Sequence, residues 1–253
     1  MSGHSKWSTI KRQKGVTDVK RGAVFTRVSN AVTLAAREGG DSLETNFKLR
    51  LAIDEAKRLN MPKENIRRAI NRGVGKGGEG VKLEEIIYEG FGPGGIAVLI
   101  FVVTDSRQRS AQEIRSIFDR SGGTLSGPGS VSYLFSQFAQ IDVRLKNEND
   151  PDEVLLAAAD AGAEDVEVFG DNALVYCEPS ELEKVMKALE EKGMEIVGTQ
   201  LSMKPKNTIK IEESDKAKKI LDLMEKLDDL SDVQKVYANF DIPEKILQKE
   251  ATP

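Results

Sequence analysis

The sequence predicts an α+β fold in which an N-terminal helical domain precedes two ferredoxin-like βαββαβ domains, one inserted into the other. Three observations lead to this prediction. Apolar residues recur at helical spacing before residue 80, short apolar runs alternate with helical patterns after it, and one complete βαββαβ order separates the two halves of another. A chain of 253 residues also favours two or three domains over one. We therefore predict three domains: residues 1–80, residues 81–137 together with 205–253, and residues 138–204.

Three helices are predicted in the first domain. The first covers residues 17–38 and ends at Gly39-Gly40, and the second covers residues 45–59. The third begins at Pro62, which suits a first helical turn, and Gly73 is predicted to close it. Each helix contains apolar residues three or four positions apart, as expected of helices that share a small core.

The second domain is predicted from two β-α-β patterns that follow a strand-like run at residues 85–89. The first pattern has a helix with Asp105 or Ser106 as its cap, and a mobile loop precedes its second strand. Its elements are a strand at 96–103, a helix at 107–120 and a strand at 131–135. The elements of the second pattern are a strand at 208–211, an amphipathic helix at 214–230 and a strand at 233–240.

The residues between these two patterns contain the whole βαββαβ order of the third domain. One helix, at residues 151–161, is predicted from the capping pattern Asp150-x-x-Glu153, and a second is predicted between a cap at Ser180 and a stop at Gly193. The predicted strands lie at residues 140–145, 165–169, 173–177 and 195–201, and the middle two form a hairpin.

Positive charge is concentrated in the first domain. Residues 1–80 contain 17 Lys and Arg side chains and 8 Asp and Glu, whereas the rest of the chain contains 20 and 33. A basic block on an acidic body is typical of a protein that faces nucleic acid at one end. The first fourteen residues, MSGHSKWSTIKRQK, have no acid and too little apolar surface to bury themselves. They carry cations for phosphates and a Trp for stacking on a base, so we predict a nucleic-acid-binding arm.

The predicted nucleic-acid-binding residues lie in this arm and on the helices that follow it. The cations of the helices lie off their apolar stripes, and we expect them to gather with the arm. The alternatives are a frayed terminus without a function and an ordinary solvated helix face. The residues of the predicted interface are His4, Lys6, Trp7, Lys11, Arg12, Lys14, Lys20, Arg21, Arg27, Arg67, Arg68 and Arg72.

Several classes of function find no support in the sequence. Residues 73–78 and 90–95 both match G-x-G-x-x-G, but neither lies between a strand and a helix, as a dinucleotide site requires. A single cysteine, Cys177, and a single histidine predict neither a disulfide framework nor a metal site. No nucleophile has a base beside it, so we predict a protein without catalytic activity, cofactor or small-molecule substrate.

A membrane protein is not expected either. The longest apolar run, residues 96–103, has the length of a strand and is too short to span a bilayer. No secretory or organellar targeting pattern precedes residue 3, so the expected location is the cytoplasm.

Four motifs resemble those of a known family. They are GHSKW at residues 3–7, YEGFGPGG at 88–95, GSV followed by YLF at 129–135, and AGAEDV at 161–166. They are similar to motifs of the YebC family, which includes the mitochondrial translational activator of cytochrome oxidase subunit I. The resemblance covers nearly the whole chain, and it implies the same three-domain plan.

The resemblance also implies a nucleic-acid-binding regulator of gene expression. The favoured interpretation is a translation factor that binds ribosomal RNA and eases synthesis through difficult stretches such as consecutive prolines. The alternative is a transcriptional regulator of promoter DNA, as many family members are labelled. The helix around Arg67, Arg68 and Arg72 could pass as a recognition helix, but it lacks a recognisable helix-turn-helix partner. Because cations and one Trp serve either polymer, the resemblance is what favours translation.

Overall fold

The computed structural model describes residues 18–76, 83–145, 151–243 and 245–247. The chain divides into two compact units. One unit runs from Phe135 to Lys206, and the other contains the residues before and after it, including the N-terminal helices. The predicted three-domain boundaries are finer than this division and stay a prediction.

Three helices form the N-terminal part, as predicted. They are α1 (Asp18–Gly39), α2 (Phe47–Arg58) and α3 (Lys63–Gly73). Both shorter helices pack against α1, which supplies Val28, Val32, Ala35 and Ala36 to their common core. The buried residues of each helix recur at the three- and four-residue spacing expected of a helix that packs on one face.

Asn46 fixes the start of α2. Its side-chain oxygen accepts a hydrogen bond from the Leu49 N–H at 3.0 Å, as an N-cap does. Its amide nitrogen donates to the carbonyl oxygens of Ala35 and Gly40, both at 2.8 Å. One buried side chain thus satisfies backbone groups at the end of α1 and at the beginning of α2.

The chain next forms a hairpin, a helix and a short strand. These are β1 (Glu84–Phe91), β2 (Ala97–Thr104), α4 (Arg107–Ser121) and β3 (Thr124–Ser126). The Ser106 hydroxyl caps α4 by accepting a hydrogen bond from the Arg109 N–H, which confirms one of the two predicted caps. β3 pairs with β1 inside the segment that was predicted to be a mobile loop.

The unit from Phe135 to Lys206 has the complete ferredoxin-like order. It contains β4 (Phe135–Arg144), α5 (Pro151–Ala161), β5 (Asp165–Phe169), β6 (Asn172–Cys177), α6 (Leu182–Glu191) and β7 (Glu195–Pro205). The antiparallel sheet has the order β5-β6-β4-β7. The capping role predicted for Ser180 is wrong, because Ser180 lies in a 3₁₀ turn and α6 begins without a side-chain cap.

The last elements complete the other unit. They are β8 (Ile209–Lys210), α7 (Ser214–Asp228), β9 (Val233–Ala238) and β10 (Phe240–Asp241). β9 pairs with β2, so the antiparallel sheet has the order β3-β1-β2-β9. Apolar side chains of α4 and α7 share one core with this sheet, in which Phe118, Ile220, Leu223 and Leu227 are fully buried.

Three predicted elements of this unit differ from the structure. Residues 132–134 form a 3₁₀ turn and not a strand, because the N–H groups of Val131 and Ser132 donate to the Glu89 carboxylate instead of a neighbouring strand. The strand predicted at 208–211 is the short β8, which pairs in parallel with β10 outside the main sheet. The strand predicted at 233–240 is divided at Asn239, whose side-chain oxygen accepts a hydrogen bond from the N–H of Ala97.

Candidate nucleic-acid interface

Half of the predicted interface lies outside the described residues. His4, Lys6, Trp7, Lys11, Arg12 and Lys14 all precede residue 18. Lys20 and Arg21 lie within α1, but their side chains are outside the described part of the structure. The four predicted residues whose side chains are described are Arg27, Arg67, Arg68 and Arg72.

Arg67 and Arg68 lie on the exposed side of α3. The Arg67 side chain is 70% exposed, and its guanidinium forms an ion pair with Glu64 at 2.7 Å. Arg68 donates a hydrogen bond to the Asn65 side chain one turn earlier. Exposed pairs of this kind contribute little to stability, so a phosphate can replace the carboxylate at small cost.

Arg72 faces α1 and not the solvent. Its guanidinium donates to the Thr33 hydroxyl at 2.9 Å and to the Asn30 side chain at 3.1 Å. Thr33 also donates to the Ala69 carbonyl oxygen, so these polar groups join α1 to α3. Sequence reasoning missed Asn30 and Thr33; the available signal was two polar residues beside the apolar stripe of α1. The nucleic-acid role of Arg72 stays a prediction, and its observed contacts are structural.

Arg27 is held by the carboxyl end of α7. Its Nη1 lies 3.3 Å from Asp228 Oδ1, and its Nη2 donates to the backbone oxygen of the same residue. A cation at a helix C-terminus is favoured by the helix dipole. The Arg27 side chain is only 17% exposed, and its contacts join α1 to α7. α7 packs with the sheet β3-β1-β2-β9, which we call the outer sheet.

Further cations of the helical domain also have acidic partners. Lys76 lies 2.8 Å from Asp41, and its ammonium lowers the pKa of that carboxyl group. Lys48 pairs with Glu38 at 2.9 Å, and the hydrogen bond raises the pKa of the lysine. Since these charges are compensated locally, the described helices contribute less free positive charge than their composition indicates.

The described residues offer no second kind of site. They contain no group of three His, Cys, Asp or Glu side chains placed to hold a metal ion. Among the described helices, none combines the length and the apolar character that crossing a membrane requires.

Comparisons with known proteins cover almost the entire chain. A family model described as the TACO1/YebC protein N-terminal domain matches residues 5–76, and one for the second and third TACO1/YebC domain matches residues 83–240. Proteins of Rubrobacter xylanophilus and Syntrophus aciditrophicus are each 50% identical to this chain. The alignments cover 99% of this chain and 100% of the first relative, and 98% of this chain and 99% of the second. Both relatives are named probable transcriptional regulatory proteins.

The same fold occurs in a solved structure. The crystal structure of a conserved hypothetical protein from Aquifex aeolicus matches with a TM-score of 0.83 at 43% identity, over 91% of this chain and 94% of that one. Because both family models match and together extend over residues 5–76 and 83–240, this chain belongs to the TACO1/YebC family.

Proposed function

We propose that this protein is a nucleic-acid-binding regulator of gene expression and that it acts as a translation factor on ribosomal RNA. The observation that carries nucleic-acid binding is the separation of charge, with 17 basic and 8 acidic residues before residue 81 and 20 and 33 after it. The resemblance of the sequence motifs is what favours translation. An anionic polymer is attracted to the first part, so we place its main contact at that end of the chain.

The arm is the main contact in this proposal. Local carboxylates compensate Lys48, Arg67 and Lys76 of the helical domain, whereas the first fourteen residues contain no acid. An arm with four cations and Trp7 suits RNA whose bases are unpaired, because the indole can stack on a base while the cations contact phosphates. Translation through consecutive prolines is the process in which we propose that it acts.

Transcriptional regulation is the second candidate. The names of the relatives favour it. Reading of the DNA major groove needs a helix whose base-contacting side chains are free. On α3, Arg67 and Arg68 are exposed but contact Glu64 and Asn65 of their own helix, whereas Arg72 donates to α1.

One experiment compares the two candidates. We expect the protein to co-sediment with ribosomes at moderate salt and to bind duplex DNA more weakly under the same conditions. Tight, sequence-dependent binding to duplex DNA without ribosome association would reject the translation proposal and support the second candidate. No salt-dependent binding to either polymer would reject both.

A set of matched variants tests the arm. Replacing Lys11, Arg12 and Lys14 by Gln should weaken ribosome binding and reduce its salt slope by roughly two units, because each lost phosphate contact removes about 0.7–0.9. The control replaces Lys184, Lys187 and Lys192, which lie on or just after α6, and removes the same charge. Equal effects of both triple variants would show that net charge, and not the arm, determines binding.

A further inference from the structure

The helix α4 carries an unusual group of cations for the acidic part of the chain. Its fifteen residues contain four arginines and no lysine. Arginine binds phosphate groups with a planar, multidentate donor set, whereas lysine offers a point charge. Arg120 is exposed, and no carboxylate pairs with it among the described residues. It therefore differs from Lys48, Arg67 and Lys76 of the helical domain, which are paired.

A shallow, widely open groove with a volume of about 460 Å³ lies beside α4. Arg109 and Arg120 line it, and these two residues are eleven positions apart, which corresponds to about 16 Å along the helix axis. Gln112 and Ser116 lie between them and add neutral hydrogen-bond donors, and Glu113 is the carboxylate in the lining. The unpaired Arg120, the oriented Arg109 and the neutral donors between them offer contacts to an extended anionic chain, with Glu113 as the opposing charge in the lining.

Arg109 is oriented by a buried network. Its Nη2 donates to Asp232 at 2.7 Å and to Asp105 at 2.8 Å. The Asp232 side chain is 11% exposed, and its carboxylate also accepts hydrogen bonds from the hydroxyls of Thr104 and Ser110, each at 2.8 Å. Because one terminal nitrogen makes both of these contacts, the guanidinium has a fixed position and its other nitrogens remain available to a ligand.

The apolar part of the groove consists of Ile117 and Leu230. These side chains can cover a ribose or the edge of a base, but no aromatic ring lines the groove for stacking. A ligand held here is recognised by its backbone and not by its base sequence.

We propose that this groove binds the phosphodiester backbone of single-stranded nucleic acid, as a second contact separate from the arm. The inference rests on the proposed nucleic-acid-binding function, and it names a partner surface that the arm does not provide. Ribosomal RNA that contacts both the arm and α4 would be held at two places along the chain.

The first test uses fluorescently labelled oligo-U and oligo-dT of about twelve nucleotides, within the usual size range of single-strand sites. Arg120→Glu should raise the Kd of the full-length protein at least about fivefold and reduce the salt slope by roughly 0.7 or more. Lys218→Glu is the matched control, because Lys218 is exposed on α7, does not line the groove and gives the same change of charge. The control should stay within about twofold of the unmodified protein.

The outcomes separate this inference from the proposed function. If the unmodified protein binds with a clear salt slope but Arg120→Glu behaves like Lys218→Glu, the groove is not a binding site and the arm proposal stands. If the unmodified protein binds neither oligonucleotide, both proposals fail. Equal affinities for oligo-U and oligo-dT support backbone recognition, and a preference for oligo-U supports RNA as the ligand in the same groove.

A labelling experiment locates the ligand directly. Cys177 is buried, and burial raises the pKa of its thiol to about 11, so it reacts slowly with a maleimide at neutral pH. A thiol introduced by Ser116→Cys should react quickly in the free protein and several-fold more slowly with oligo-U present. One introduced by Lys218→Cys should react equally fast in both conditions. Equal labelling of Ser116→Cys with and without oligo-U would overturn the proposal.

Discussion

Glu89 is a buried acid that organises a loop. Its carboxylate accepts hydrogen bonds from the N–H groups of Gly129, Val131 and Ser132 at 2.7, 2.6 and 2.8 Å. Burial alone would raise the pKa of Glu89, but these three backbone donors outweigh it and hold the pKa below its ordinary value. The ionised carboxylate therefore stabilises the folded state.

We expect Glu89→Gln to lower the free energy of unfolding by about 1–3 kcal/mol at pH 7, since a neutral amide replaces a charged acceptor of three bonds. A folded-state pKa below the unfolded value means that this contribution is complete above the unfolded pKa and is lost as the pH falls through the folded pKa. The difference between the two proteins in urea unfolding should therefore be largest near neutral pH and shrink below about pH 4. A difference that is the same at pH 7 and pH 3 would contradict the assignment.

Contacts of this kind explain where sequence reasoning failed at single residues. Residues 131–135 have the apolar pattern of a strand. The N–H groups of Val131 and Ser132 nevertheless donate to the carboxylate of Glu89, more than forty positions earlier, and not to a neighbouring strand. Arg72 was predicted to bind phosphate because it is an arginine in a basic segment, but its guanidinium donates to Asn30 and Thr33. Periodicity carries no information about such pairs, because their partners are distant in sequence.

At the scale of elements, the packing of α3 against α1 depends on Gly73. A Cβ atom at this position would lie 2.4 Å from the Thr33 carbonyl oxygen and 2.7 Å from the Ala36 Cβ. Gly73 was predicted to close α3, and the structure adds a reason for glycine at this position, which is the close approach of the α3 and α1 backbones.

Gly73→Ala should therefore destabilise the helical domain by about 1–3 kcal/mol, the usual cost of overpacking. Gly22→Ala is the matched control in α1, where no atom lies within 4 Å of the added Cβ. We expect the control to stabilise the helix by about 0.5–1 kcal/mol, because alanine has the higher helix propensity. Thermal unfolding followed by circular dichroism measures both, and a shift of the same sign for the two variants would show that helix propensity decides the outcome.

Element types were easier to predict than their pairing. The three N-terminal helices and the inserted strands and helices followed from apolar spacing, because each buries one face. β1 was recognised only as a strand-like run before the predicted patterns, yet it lies between β2 and β3 in the sheet. The neighbours of a strand depend on tertiary contacts such as the Asn239 side chain on Ala97, which the local sequence does not encode.

At the scale of the whole molecule, the chain enters and leaves the unit from Phe135 to Lys206 at neighbouring positions. Phe135 and Pro205 are directly opposite each other in the β4–β7 pair. The helical domain belongs to the other unit, where Arg27 contacts Asp228 and Arg37 donates to the Leu83 carbonyl oxygen at 2.5 Å. The basic helices and the outer sheet are thus fixed to one another.

This arrangement predicts that residues 135–206 can be removed without unfolding the remainder. We expect a chain in which a short Gly-Ser linker joins Leu134 to Asn207 to unfold cooperatively and to keep the binding of the arm, because the two ends to be joined are neighbours. Circular dichroism tests whether the shortened chain unfolds cooperatively, and the ribosome co-sedimentation assay tests whether the arm still binds. Gradual unfolding of the shortened chain would show that the outer sheet needs the inserted unit.

The sheet order β3-β1-β2-β9 has a consequence for how the protein is made. During synthesis the inserted unit emerges as one continuous segment, so it can finish folding while still attached to the ribosome. Over the same interval β2 has neither its partner β9 nor the apolar cover of α7, since both are encoded after the insertion. Each nascent chain therefore passes through a stage in which the inserted unit is folded while the edge of β2 is unpaired. An unpaired edge can pair with another chain, so this is the stage at which binding of a chaperone would prevent most aggregation.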